Sequence, residues 1–187
     1  MNDKHKRVFN DALNDTEVSD IISRIKATIN SLNPKQQHLL AEWLYVWCSY
    51  IKNEKTFLPQ KLKYYKRGEV VLANFGYNVG SELGGAHYAV VVENNNNKTS
   101  NTVTVVPVSS LQSSKKESEL HHSEVFLGKI IPDSDKLSYA MPLQIRAISK
   151  LRIIKPKTSA DGVYKISNEK LSEIDEKIKQ LFTRVQA

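Results

Sequence analysis

Residues 66 to 94 read KRGEVVLANFGYNVGSELGGAHYAVVVEN. Two runs rich in β-branched residues are separated by a long glycine-bearing loop that carries a carboxylate, Glu82, and ends in an imidazole, His87. A plain hairpin needs only a tight turn, so a loop of this length is expected to hold something. Histidine, with an ordinary pKa of about 6.5, can give or take a proton near neutral pH. Further on, Ser109 ends the run TVTVVPVS, and Gln144 and Arg146 fall in PLQIRAISK. Taken singly these residues are unremarkable. A histidine at a strand start is ordinarily a surface residue, serine is common at strand ends, Arg146 suits an ion pair, and Glu82 suits a loop cap.

The elements that must position them change character along the chain. TEVSDIISRIKATINSL carries Val18, Ile21, Ile22, Ile25, Ile29 and Leu32 at helical spacing, with Thr16 as an expected cap. A second helix is expected from Asn33 and Pro34 through Trp43, Trp47, Tyr50 and Ile51, with a wide apolar face. The short link predicts an antiparallel hairpin, which needs another surface to cover both tryptophans: the rest of the chain or a second subunit. After a polar connector come the strand candidates EVVLANF, HYAVVVE, TVTVVPVS, SEVFLG and LRII, with YAMPLQIRAIS before the last. They predict a small, mostly antiparallel barrel or curled sheet. SNEKLSEIDEKIKQLFTRV closes the chain as a helix capped by Ser167 or Asn168. The expected organisation is residues 1–60 as helical hairpin and linker, and 61–187 as the main domain.

Composition bounds the function. The 187 residues are 40% hydrophobic and 25% charged, a globular balance. Residues 61–187 hold +6 of the formal +7, a mild push toward nucleic acid. The lone cysteine, Cys48, lies in the apolar run AEWLYVWCSYI and is expected to be a buried, inert thiol. The amino terminus, MNDKHKRVFNDALND, is charged and lacks a signal-peptide core, and no apolar run reaches membrane-spanning length; a cytoplasmic location is expected. His121 and His122 follow the polar loop SSLQSSKKESELHH; neighbours on a strand point to opposite faces, so the pair is not expected to share a metal.

In order and spacing, KRGEVVLANFGYNVGSELGGAHYAVVVEN, TVTVVPVSS and PLQIRAISKLRI resemble the PemK/MazF family of bacterial toxins. The family's pattern is approximately [KR]-R-G-D at the first strand, V-G-S-E-x-G-G-x-R-P in the loop, T-V-x-V-x-P-x-T at the third strand, and Q-I-R. The resemblance spans about residues 64 to 185 and leaves the N-terminal helices unexplained. It implies an α+β fold: an SH3-like antiparallel barrel of the PemK/MazF/CcdB type with a C-terminal helix. It also implies a homodimer that cuts single-stranded RNA (mRNA) at short motifs without a metal or cofactor and is restrained by an antitoxin protein.

Carried over by position, Glu82, Gln144 and Arg146 match as they stand, Ser109 replaces the usual threonine, and Glu69 replaces aspartate. The consequential departure is His87, where the family has a catalytic arginine; the following proline is Tyr88. Cleavage by the 2′-hydroxyl requires a base, a charge stabiliser for the phosphorane and an acid for the departing 5′-oxygen. His87 is expected as general acid or base, Ser109 as a hydrogen bond to a phosphate oxygen or the 2′-hydroxyl, Arg146 as charge stabiliser, and Glu82 as the fallback base. RNA contacts are expected from Tyr77 by stacking, from Gly84 and Gly85 by positive φ and close approach, from Lys115 and Lys116 by charge, and from His122 and Gln144.

Two alternatives belong to other classes. A CcdB-like barrel poisons gyrase by protein contact, and a barrel that lost catalysis when arginine became histidine would still bind RNA or antitoxin. The N-terminal helices are expected to extend a dimer or pack on the chain's own barrel in preference to acting as a lid, because their near-zero net charge makes a poor mimic of RNA.

Overall fold

A computed structural model of the chain describes residues 12–131 and 134–184. The readings made above on residues 1–11 and on Val185 lie outside them. By contact the chain divides into two compact units, Met1–Val46 and Trp47–Ala187, a division that falls inside the second helix.

Helix α1, Asp15–Ser31, starts one residue before the expected cap. Asn14, not Thr16, is the N-cap: Asn14 Oδ1 accepts the Glu17 N–H at 3.0 Å, and Glu17 Oε2 accepts the Asn14 N–H at 3.1 Å. Reciprocal bonding of this kind satisfies two orphan donors, which a lone threonine hydroxyl cannot. Helix α2, Pro34–Glu54, begins as expected, with Asn33 Oδ1 accepting the Gln36 N–H at 3.0 Å. No residue of either helix is buried, and Trp47 remains 46% exposed.

Among the described residues of the second unit, eight strands form one antiparallel sheet: β1 (Glu69–Asn74), β2 (Ala86–Val91), β3 (Thr102–Ser110), β4 (Val125–Gly128), β5 (Ser138–Ala140), β6 (Arg146–Ser149), β7 (Ile153–Lys155) and β8 (Tyr164–Lys165). The order is β4-β5-β3-β2-β1-β7; β6 also pairs with β3, and β8 with β1. Both end strands are short, and of the barrel or curled sheet expected the ladder takes the open form. The stretch YAMPLQIRAIS supplies both β5 and β6. They run along successive parts of β3, opposite residues 108–110 and 102–105, and are split by a short 3-10 turn at Pro142–Gln144. Proline, lacking an N–H, interrupts the ladder there.

Alternation along each strand divides the apolar residues between two faces. One face, with Val70, Val90, Val106 and Val108, packs under helix α3 (Asn168–Phe182) through Leu171 and Ile174. Ser167 caps α3, and Arg67, two residues before β1, ties it down through an ion pair to Asp175. The other face gathers Val71, Ala73, Phe75, Ala89, Val91, Val103, Val105 and Ile148. Burying a side chain of this size contributes roughly 1.5–3 kcal/mol, so the two-sided burial of β1 to β3 makes them the rigid floor of the molecule. Glu69 is itself buried, paired with Lys63 and accepting the Lys66 N–H at 3.0 Å; it serves the floor, not the surface.

Cys48 is exposed, contrary to expectation. Trp47, Tyr50, Ile51 and Glu54 form the side of α2 that meets Leu151 and Arg152. Cys48 lies about 100° round the helix from Trp47, clear of that contact.

Candidate active site

The loop between β1 and β2 is pinched at its base. Phe75 N–H donates to Gly85 O at 2.7 Å, and Gly85 N–H donates to Gly76 O at 2.6 Å. Within the loop, Asn78 Nδ2 donates to the carbonyls of Phe75 and Leu83, at 3.1 and 2.5 Å. Gly85 has φ +79°, the left-handed conformation glycine adopts without penalty. Gly84 serves a different end from the one expected: a Cβ there would meet Gly76 O at 2.6 Å, so its missing side chain lets the two sides of the loop close on each other.

Beyond the pinch, β2 delivers His87 opposite Ala73 of β1. The β2–β3 ladder pairs Tyr88 with Val108, and one step further along lie His87 and Ser109. Since Tyr88 and Val108 face the α3 side, strand alternation turns His87 and Ser109 to the opposite face. His87 Nδ1 is 3.3 Å from Val108 O, and both His87 and Ser109 are half-buried. Ser109 is paired on its other side with Tyr139 of β5. A histidine and a hydroxyl therefore stand side by side at the end of the sheet where the loop folds.

Gln144 and Arg146 approach the loop from the 3-10 turn and β6. Gln144 Oε1 accepts the Leu83 N–H at 3.2 Å, and Gln144 Nε2 donates to Ser81 O at 3.3 Å. The residue between those two anchors is Glu82, which is exposed. Arg146 Nη2 donates to Gln144 Oε1 at 2.8 Å, and its guanidinium carbon lies 5.5 Å from the centre of the Phe75 ring. Arg146 shares the His87 face, since it pairs with Val105 and that residue packs with Ala89 and Phe75. The always-charged guanidinium is held by an amide and an aromatic face, and among the described residues no carboxylate is bonded to it.

The other expected RNA-binding residues are dispersed. Tyr77 sits half-buried at the start of the loop, and Gly85 is exposed at its end. Lys115 lies beyond the end of β3, where with Lys136 it borders a basin of about 780 Å³. Lys116 is exposed in the same connection. His122 is exposed, its ring 4.1 Å from that of His121. These histidines occupy the turn before β4, not a strand, so the expected pointing to opposite faces does not hold. His121 Nδ1 is bonded to Ser123 Oγ at 2.7 Å.

Sequence reasoning missed the latch role of Gln144, whose partners are 61 and 63 residues away. It also missed Asn74, whose Oδ1 accepts the Gly76 N–H at 2.9 Å and sets the loop's first bend.

A family model described as PemK-like, MazF-like toxin of type II toxin-antitoxin system matches residues 66–182. No curated protein matches the chain. Among solved structures, an endoribonuclease in complex with its cognate antitoxin from a mycobacterial species is 18% identical, with 65% of this chain and 98% of that chain covered and a TM-score of 0.45. MazF (Form-I) from Deinococcus radiodurans is 18% identical over 64% of this chain and 97% of that one, with a TM-score of 0.44. MazE-MazF (Form-II) from the same organism is 17% identical over 66% and 100%, with a TM-score of 0.39.

Proposed function

The chain belongs to the PemK-like, MazF-like toxin family of type II toxin–antitoxin systems, and from that premise we propose that it is a metal-independent, sequence-selective endoribonuclease acting on single-stranded RNA. The observation that carries the reading is the placement of His87 and Ser109 on one face of adjacent strands, beside the loop that bears Glu82. An imidazole that can take the 2′-hydroxyl proton or give one to the departing 5′-oxygen stands next to a hydroxyl that can hold a phosphate oxygen. Arg146 supplies the positive charge that stabilises the phosphorane.

The reaction balances without an added reagent. The 2′-oxygen gives its proton to a base and attacks phosphorus; the bond to the 5′-oxygen breaks, and that oxygen takes a proton. The products are a 2′,3′-cyclic phosphate and a 5′-hydroxyl. His87 acts as general acid or base, Ser109 binds a phosphate oxygen or orients the 2′-hydroxyl, and Glu82, the carboxylate of the loop, is the fallback general base. Tyr77 stacks on a base, while Lys115, Lys116 and His122 contact RNA at a distance from the reacting phosphate. Gln144 contributes mainly by holding the loop. An antitoxin protein restrains the activity, a homodimer is the working form, and the cytoplasm is the site of action.

The test is cleavage of naked RNA by the purified chain in excess chelator. Cleavage at a recurring motif separates the nuclease from a gyrase-type poison and from a barrel that binds RNA without cutting it. The His87→Ala chain is expected to bind the RNA and leave it intact; cutting at the full rate by that variant would overturn the assignment.

A further inference from the structure

The ladder that sets Ser109 beside His87 continues past it. Ser109 pairs with Tyr139 of β5 and Ser110 with Ser138, and Leu111 N–H donates to Leu137 O at 2.7 Å, one pair beyond the ends of both strands. Ser138 and Ala140 are buried, Ala140 in the core under α3, so alternation turns Tyr139 to the face that carries Ser109 and His87. Tyr139 is half-buried there, beside the serine, since the Cβ atoms of directly paired residues stand about 5 Å apart. Leu111 and Leu137 carry the same face one step further, and both line the basin of about 780 Å³ that opens past the strand ends. The basin is positive: Lys115 and Lys136 border it, and Asp135, the carboxylate on its lining, is ion-paired with Lys129 at 2.8 Å. The other way along the sheet is hostile to phosphate. Phe126 of β4 follows Tyr139 in register, and the groove beside it is lined by Glu117, Glu124, Glu173 and Glu176.

We propose that this basin is a subsite for the nucleotide adjoining the scissile phosphate: Tyr139 stacks on its base, and Lys115 and Lys136 hold its phosphate. The inference rests on the reading of His87 and Ser109 as a site of RNA cleavage, and it gives the strand a path. From Ser109 the RNA crosses Tyr139 and leaves over the ends of β3 and β5, away from the glutamates beside Phe126. Leu137, 41% exposed, extends the apolar bed on which the base lies. Every base has a π-face, so this subsite supplies grip and register next to the cut and leaves the identity of the base to other contacts.

The test is the affinity of the full chain for a single-stranded RNA analogue with fluorine at every 2′-position, which 2′-hydroxyl attack cannot cut. Tyr139→Leu keeps apolar bulk and loses the flat ring; it is expected to weaken binding about tenfold, and Tyr139→Phe to bind as the natural chain does. In a set of analogues that each lack one base, the effect of Tyr139→Leu should vanish at one position alone. Lys136→Gln should lower the slope of log affinity against log salt by about 0.7. Equal affinity in Tyr139→Leu, or a loss that persists with every base-lacking strand, would overturn the subsite, and the second result would mark Tyr139 as a packing residue. An unaltered salt slope in Lys136→Gln would overturn the part given to the basin. Cleavage of natural RNA alongside equal affinity in Tyr139→Leu would sink the subsite and leave the nuclease reading standing. The expected binding pattern in a protein that cuts no RNA would do the reverse.

Discussion

Arg146 and Leu83 converge on a single atom: Gln144 Oε1 accepts from Arg146 Nη2 at 2.8 Å and from the Leu83 N–H at 3.2 Å. The guanidinium and the loop backbone are thereby held by one amide, and Glu82 is suspended between that bond and the one from Gln144 Nε2 to Ser81 O. Truncation of the amide therefore frees the loop and the arginine together. Gln144→Ala is expected to lower RNA cleavage about tenfold and to speed exchange of the Leu83 amide by a comparable factor, since bonds to a charged donor contribute about 1.5–3 kcal/mol. Equal cleavage rates in the two proteins would remove Gln144 from the account.

Gly84 and Gly80 offer a matched contrast in the same loop. A Cβ at Gly84 would meet Gly76 O at 2.6 Å, whereas one at Gly80 would meet nothing within 4 Å. Gly84→Ala should abolish most cleavage by preventing closure of the loop, while Gly80→Ala should cost only the strain of its φ of +61°, about 1–2 kcal/mol local to the loop. Rates and near-ultraviolet circular dichroism on both variants check this, with the folded signal expected to be retained in each.

Two phenols set the response to alkali. Burial pushes Tyr65 far up, with Glu69 and Asp161 adding to it, and burial also raises Tyr50. Each keeps its proton in the folded chain at a pH where the unfolded chain releases it, so its stabilisation is complete below the ordinary tyrosine value of about 10 and is lost as pH climbs. Lys150 has the opposite sign: burial lowers it against Glu93, so its contribution is lost as pH falls. Urea unfolding at about pH 10 to 12 should show stability falling, and Tyr65→Phe should flatten the fall by about 1.4 kcal/mol per pH unit. Parallel slopes would contradict the assignment. The variant also gives up the bond from the Tyr65 hydroxyl to Pro156 O at 2.8 Å, which lowers stability at every pH without changing the slope.

The floor of the fold was legible because its signal is local. Valines alternating in TVTVVPVS face two cores, and the helix of residues 168–182 carries its cap and apolar stripe in consecutive turns. Short pieces were not: β8 is two residues long, and the two strands inside YAMPLQIRAIS are separated only by a proline-led turn. Thr16 and Asn14 are both good cap residues, and Glu17 at the right distance decides for Asn14. Cys48 was misread because an apolar run on a helix does not say which side meets a neighbour. Within the site, the motif pointed to His87, Ser109, Gln144 and Arg146, and strand register set His87 beside Ser109. The latch of Gln144 joins residues far apart in sequence, and no spacing rule reaches it.

His87 carries the proposed chemistry, and its replacement should separate catalysis from binding. His87→Ala is expected to lower single-turnover cleavage about a hundredfold to ten-thousandfold, the usual worth of a positioned proton-transfer group, with little change in affinity for RNA. His87→Arg restores the residue usual in the family; a rate above that of the natural chain would mark the histidine as a loss of function.

The most direct measurement is the chemistry of the cut ends. The purified chain in excess chelator is incubated with a single-stranded RNA and with the same strand carrying one 2′-deoxynucleotide at the cleaved position. The first strand should yield a 2′,3′-cyclic phosphate and a 5′-hydroxyl, and the second should show no cut at that position. Cleavage of the deoxy strand, or a 5′-phosphate on the product, would contradict attack by the 2′-hydroxyl and with it the roles given to His87 and Ser109.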